Sequence, residues 1–219
     1  MQNAYRPVAG LARTLVVLLI ICGALGALGA LLSVLQLFAF TDAAAAENPQ
    51  TPWQVAVLLG VGCEALVYLV VFLATAVLWA MFVHRSCANA HELGARGMEF
   101  TPGWAVGWYF VPFANLFKPG QVMQEIYRAT DPGADPDNWR WSPVPSLLNW
   151  WWGAWVVSNV LGGMMARMAF ASNPWSLGVS VALDVVDGAL DVVLSVLAVR
   201  VIRAIASRQE QKARVAAFA

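Results

Sequence analysis

The sequence predicts an all-α, polytopic membrane protein: a bundle of four transmembrane helices, with a Pro/Gly-broken re-entrant or interfacial segment and a short amphipathic helix between the second and third spans. Three observations carry that expectation. Hydrophobic residues make up 60% of the chain and charged residues only 12%, about half the charged share of a soluble domain, and the mean hydropathy is +0.64. Long apolar runs recur from one end to the other, so residues 1–219 read as a single integral membrane domain. Of thirteen Lys and Arg residues, all but Arg167 fall in segments that one membrane face would hold.

The first span is expected at about 14–40, after a short arm carrying Arg6 and Arg13. Its core, GALGALGA, sets Gly23, Gly26 and Gly29 three apart, with Ala30 four after Gly26. Small residues let helix backbones approach closely in lipid, where packing drives association. The stripe reads first as a packing face within the chain and second as a homo-oligomer contact. Ala43–Ala46 imitates a signal-peptidase site, but the preceding apolar run is long for a leader and is taken as a span that stays. A polar hairpin with Asp42 and Glu47 leads to the second span, about 53–83, with Trp53 and Trp79 suited to its two interfaces and Glu64 inside it.

After a mildly helical polar segment bearing Arg85 and Arg96 comes Phe100–Pro119, FTPGWAVGWYFVPFANLFKP. It is aromatic and apolar yet broken by prolines and glycines. As a perfect helix, residues 101–117 would reach only about 25 Å at ~1.5 Å per residue, against a hydrocarbon core of about 30 Å. Letting it span would also carry the tail, Lys118, Arg128 and Arg140 to the wrong face. It is therefore expected to enter and leave on the cytoplasmic side, sheltered by the four spans, because broken backbone at membrane depth needs partners.

A surface helix follows at 120–130, with Val122, Ile126 and, less squarely, Met123 on one side and Gln124, Glu125 and Arg128 elsewhere. A turn-rich loop leads to the third span, about 145–168. Trp150, Trp151, Trp152 and Trp155 crowd its entry, as an interfacial belt or as a ligand-stacking cage; Asn149, Ser158 and Asn159 are its polar positions. A short turn, 169–174, precedes the fourth span at about 175–201, and the tail, 202–219, continues as a helix into the cytoplasm. Both termini are placed in the cytoplasm.

The fourth span contains LDVVDGALDVV. At ~3.6 residues per turn, Asp184, Asp187 and Asp191 share one narrow face with Ser180 and Ser195. One mid-span Asp costs about 2.5–3.5 kcal/mol to insert, so three must be protonated, paired or wet. With Glu64, Asn115, Asn149 and Asn159 they form a candidate polar cavity or structural network, expected to brace the broken middle segment or to pass a proton or cation.

Other chemistries find little support. Cys22, Cys63 and Cys87 lack metal or disulfide spacing, and His84 and His91 lack a third ligand, so no metal or cofactor is expected. Zero net charge argues against nucleic acid, which leaves the lipid bilayer as the expected partner. No HExxH, GxSxG or nucleophile–base pattern appears, and no catalytic residue is assigned. The expected role is a non-enzymatic structural or interaction module; the alternatives are a small transporter or channel using the acidic face and, third, an intramembrane enzyme.

The middle motif, with Pro102, Gly103, Trp104, Pro112, Asn115 and Pro119, is followed by QEIYRA and LLNWWWGAW. Together these resemble the bacterial domain of unknown function 4328 family over roughly residues 70–214, and the closing VIRAIASRQEQKAR is similar to that family's end. The resemblance implies a multi-pass protein of the bacterial inner membrane and carries over no catalytic residues. Gly120 departs from it, since an aromatic residue is expected after the Lys-Pro pair, and its loss is expected to loosen the start of the surface helix.

Overall fold

A computed structural model of the chain describes residues 5–40, 51–169 and 177–218. The cleavage-like Ala43–Ala46, the acidic hairpin around Asp42 and Glu47, and the turn before Leu177 lie outside the described residues. Those described form six α-helices and no strand: α1 (Ala9–Ala39), α2 (Pro52–Glu92), α3 (Pro102–Gly107), α4 (Lys118–Ala129), α5 (Ser146–Ala169) and α6 (Leu177–Phe218). By length and composition α1 and α2 are apolar enough to cross a membrane. Tryptophans dilute α5, and Asp and Arg residues interrupt α6.

Helix α2 begins with a capping box: Gln54 N–H donates to Thr51 Oγ1 and Thr51 N–H to Gln54 Oε1. The Gln54 amide also donates to the Ala39 carbonyl at 2.9 Å, satisfying an acceptor at the end of α1 that the helix itself leaves open. The helix then runs through the polar segment to Glu92. Helix α6 is unbroken from its acidic stripe to Phe218.

The chain divides into two compact units, one of Met1–Val17, Thr75–Trp152 and Leu197–Ala219, the other of Leu18–Ala74 and Gly153–Val196. The first contains the whole central segment and is packed around α4. Its amphipathic face is fully inside: Val122, Met123, Ile126 and Ala129 are buried, as spacings of three and four dictate. Trp139 closes over Ala90, Ala95 and Ala129, and its indole N–H donates to the Arg96 carbonyl at 2.9 Å. Phe82, Val83 and Cys87 of α2 and Val201, Ile202 and Ile205 of α6 complete this core. The tail continues α6 and contributes Ile202 and Ile205 to this core.

Within Phe100–Pro119, Thr101 caps α3 by accepting from Trp104 N–H. Short 3₁₀ turns follow at Trp108–Phe110 and Ala114–Leu116. Between them Phe113 has φ +61°, an uncommon left-handed position for an aromatic residue, just after Pro112. Phe110 and Phe113 are 81% and 82% exposed, and Trp104 and Phe117 are more than half exposed. Compact turns and caps satisfy much of the backbone locally.

Gly120 also corrects its expectation. A Cβ there would lie 2.7 Å from the Trp152 ring. The glycine seats that indole against the start of α4, while Trp152 Nε1 donates to the Leu116 carbonyl at 3.3 Å. An aromatic residue at this position has no space.

Candidate functional site

The second unit holds the acidic stripe. Asp184, Asp187 and Asp191 are half-buried on one side of α6, as their spacing demands. Ser33 of α1 donates to Asp184 Oδ2 at 2.8 Å. Tyr68 of α2 donates to Asp191 Oδ2 at 2.7 Å. Asp187 accepts no hydrogen bond among the described residues. Two carboxylates of one helix are thus fastened to two different helices by hydroxyl donors, a way of meeting acceptor capacity without a second charge.

The glycines of α1 make that approach possible. A Cβ on Gly26 would lie 2.8 Å from Asp191 Cβ, one on Gly23 would lie 3.0 Å from Ser195, and one on Gly29 would lie 3.4 Å from the Glu64 carboxylate. From the α6 side, a Cβ on Gly188 would strike the Gly26 carbonyl oxygen and Ala30. The small-residue stripe is taken up inside the chain, which is the first of the two uses its spacing allowed.

Glu64 joins the stripe across Gly29, and Tyr68 sits one turn further along α2. The asparagines do not join it. Asn159 donates to the Trp155 carbonyl one turn back in α5 at 2.8 Å. Asn149 belongs to the first unit, where it accepts from Gln124 Nε2 at 2.8 Å, and Asn115 is held there in the turn after Val111 through its own backbone N–H. Within the second unit the stripe finds its partners on α1 and α2. The tryptophan cluster also divides: Trp150 is exposed, whereas Trp151 is buried against Trp79 with ring centroids 5.3 Å apart.

Sequence reasoning missed Ser33 and Tyr68, although both were discoverable. Ser33 continues the Gly26–Gly29 face of α1, and Tyr68 is four residues after Glu64. It also missed a polar junction in the first unit. Asn89 Nδ2 donates to the Arg6 carbonyl at 2.8 Å and to Gln209 Oε1 at 3.0 Å, while Asn89 Oδ1 accepts from Arg6 N–H at 3.1 Å. Gln209 in turn donates to the Ser86 carbonyl at 3.0 Å. Nothing local marks these residues as buried.

Beside that junction, Lys212 is buried and donates to the Ala129 carbonyl at 2.8 Å; burial holds its pKa below the ordinary lysine value. Arg208 pairs with Asp131 at 3.0 Å and lies over the Tyr127 ring. Burial pushes the Asp131 carboxyl up, but hydrogen bonds from Ser142 and Gly133 N–H, with the Arg208 charge, outweigh it and hold the pKa below the ordinary value. His91 Nε2 donates to the Phe100 carbonyl at 3.1 Å. Among the described residues no group of three or more His, Cys, Asp or Glu is placed to hold a metal, and no disulfide joins Cys22, Cys63 and Cys87.

Fold and site together define an all-helical protein in which buried polar side chains fasten long helices, two of them apolar enough to cross a membrane. The chain belongs to the family described as domain of unknown function DUF4328, whose model matches residues 45–207, most of its length. No curated protein and no solved structure matches it.

Proposed function

We propose that this is a non-enzymatic integral membrane protein of the bacterial inner membrane, with four spans and both termini cytoplasmic, acting as a structural or interaction module. One observation carries the membrane reading. Only 17% of the most apolar window of α2 is buried, and Leu59, Leu66, Val70 and Leu73 present more than half of their surface. A soluble protein hides such a helix in its core; a lipid-facing helix leaves it bare. The charge distribution supports four spans, since Arg167 alone would face outward.

The structural role rests on the acidic stripe. The Ser33–Asp184 and Tyr68–Asp191 bonds join α6 to α1 and α2, and interhelical bonds of this kind are worth about 0.6 kcal/mol on average and up to about 1.7 in a membrane. A second reading, proton or cation transfer, is favoured by Asp187 of α6, which accepts no hydrogen bond among the described residues while Asp184 and Asp191 each accept one. Purified protein in liposomes separates the two. The structural reading expects Tyr68→Phe and Ser33→Ala to lower thermal stability, with no proton or cation flux in any form. Flux in the wild type that Asp187→Asn abolishes while the fold survives overturns it in favour of transport.

A further inference from the structure

The first unit contains an open cleft of about 700 Å³ at the polar side of α4, bordered by Glu99, Lys118, Glu125, Arg128, Trp139 and Arg140. Three cations face two carboxylates, but the carboxylates are not equivalent. Glu125 is committed to backbone: its oxygens accept the N–H groups of Glu99 at 2.6 Å and Phe100 at 3.1 Å. Glu99 is exposed and pairs with Lys118 at 3.1 Å, a surface contact of the kind that is worth little and is readily shared. The cations retain capacity. Arg128 Nε is buried and has no acceptor among the described residues. Arg140 lies over the Trp139 ring with one amino group on the Gly97 carbonyl, which leaves the rest of its guanidinium fork unused.

A hollow of about 150 Å³ adjoins the cleft, sharing Glu99 and Phe100 and walled by Trp104 and Trp108. Trp108 Nε1 is likewise buried without an acceptor among the described residues. The cations call for an anion, and guanidinium groups suit phosphate geometry. The rim is aromatic: Trp104, Phe110, Phe113 and Phe117 stand exposed along the same segment, the arrangement by which amphipathic rings settle at the headgroup level of a bilayer.

We propose that this cleft binds the phosphate of an anionic phospholipid headgroup, with Lys118, Arg128 and Arg140 as phosphate ligands and the exposed aromatic rim in the lipid interface. The choice of a lipid rather than a free phosphate rests on the membrane reading above. The full chain, purified in a neutral maltoside detergent, is titrated with dioctanoyl phosphatidylglycerol, dioctanoyl phosphatidylcholine and inorganic phosphate while thermal unfolding is followed. Phosphatidylglycerol raises the melting temperature at concentrations where phosphatidylcholine does not, and inorganic phosphate competes only in large excess. Arg128→Gln weakens the phosphatidylglycerol response about tenfold, the loss of one charge-assisted bond. Arg140→Gln, at an exposed side chain, weakens it in the same direction, while Arg96→Gln outside the cleft leaves it unchanged.

Equal responses to the two lipids, or a phosphatidylglycerol response that survives both cleft variants, overturn the proposal. Inorganic phosphate as effective as phosphatidylglycerol overturns the lipid source. Fractionation of cells keeps the two readings apart: protein that is soluble without detergent refutes the membrane reading and the lipid source together, whereas membrane-bound protein with equal lipid responses refutes the cleft alone.

Discussion

Replacing Asn89 with alanine tests how the first unit is held together. Asn89 is 2% exposed and Gln209 fully buried, and the asparagine amide uses both N–H groups and its oxygen in three bonds that join α2 to the arm at Arg6 and to α6. Alanine leaves Gln209 Oε1 buried without a donor, at a cost of about 1–3 kcal/mol. The Arg6 backbone groups are nearer water and recover part of their bonding, so their loss adds about 0.5–1.5 kcal/mol. The sum is about 1.5–4.5 kcal/mol, or a fall in melting temperature of roughly 3–18 °C for a chain of this size. The assay is thermal and denaturant unfolding of the full chain in neutral detergent, run as a double-mutant cycle with Gln209→Ala. Because each single variant orphans the other partner, the double variant loses less than the sum of the singles, with a coupling above about 0.5 kcal/mol. An Asn89→Ala protein within about 0.5 kcal/mol of wild type, or a strictly additive cycle, refutes the claim that this junction is a structural joint.

Other outcomes follow from the same reasoning. Gly188→Ala is expected to destabilise by at least about 1–3 kcal/mol, the usual cost of overpacking, because its Cβ meets the Gly26 carbonyl and Ala30 rather than a flexible side chain; unchanged unfolding of that variant contradicts the close approach of α1 and α6. Gly120→Ala is expected to lower stability and to shift tryptophan fluorescence, since the new methyl meets the Trp152 ring. Asp131 contributes stability above its ordinary pKa of 3.8 that is lost as pH falls through the lower folded value. The gap between wild type and Asp131→Asn is therefore constant from neutrality down to about that ordinary value and closes below it; a gap that closes already near neutrality shows that another group is responsible. For topology, Asp135→Cys in a background with the native cysteines replaced should resist a membrane-impermeant thiol reagent applied to intact cells, and efficient labelling would place the central segment outside.

Much of the fold is legible from local pattern. Apolar runs and the spacing of Val122, Met123 and Ile126 each act within a few residues of chain, so the sequence alone places the long helices and orients α4. The same logic places Asp184, Asp187 and Asp191 on one face before any partner is known.

What those faces meet is a different matter, because partners come from residues more than a hundred positions away. Only the tertiary structure decides that Asp184 takes Ser33 and Asp191 takes Tyr68. It also turns Gly120 from a loosening departure into a seat for Trp152, since clearance around a missing Cβ is a property of the neighbour and not of the glycine. Gln209 and Lys212 look like solvated tail residues until α6 is packed beside α2 and α4, where burial makes each of their bonds costly to lose. Phe100–Pro119 shows the division most plainly. Its prolines and glycines determine that it cannot be an ordinary spanning helix, whereas which of its aromatics stay exposed depends on the packing of the unit that contains it.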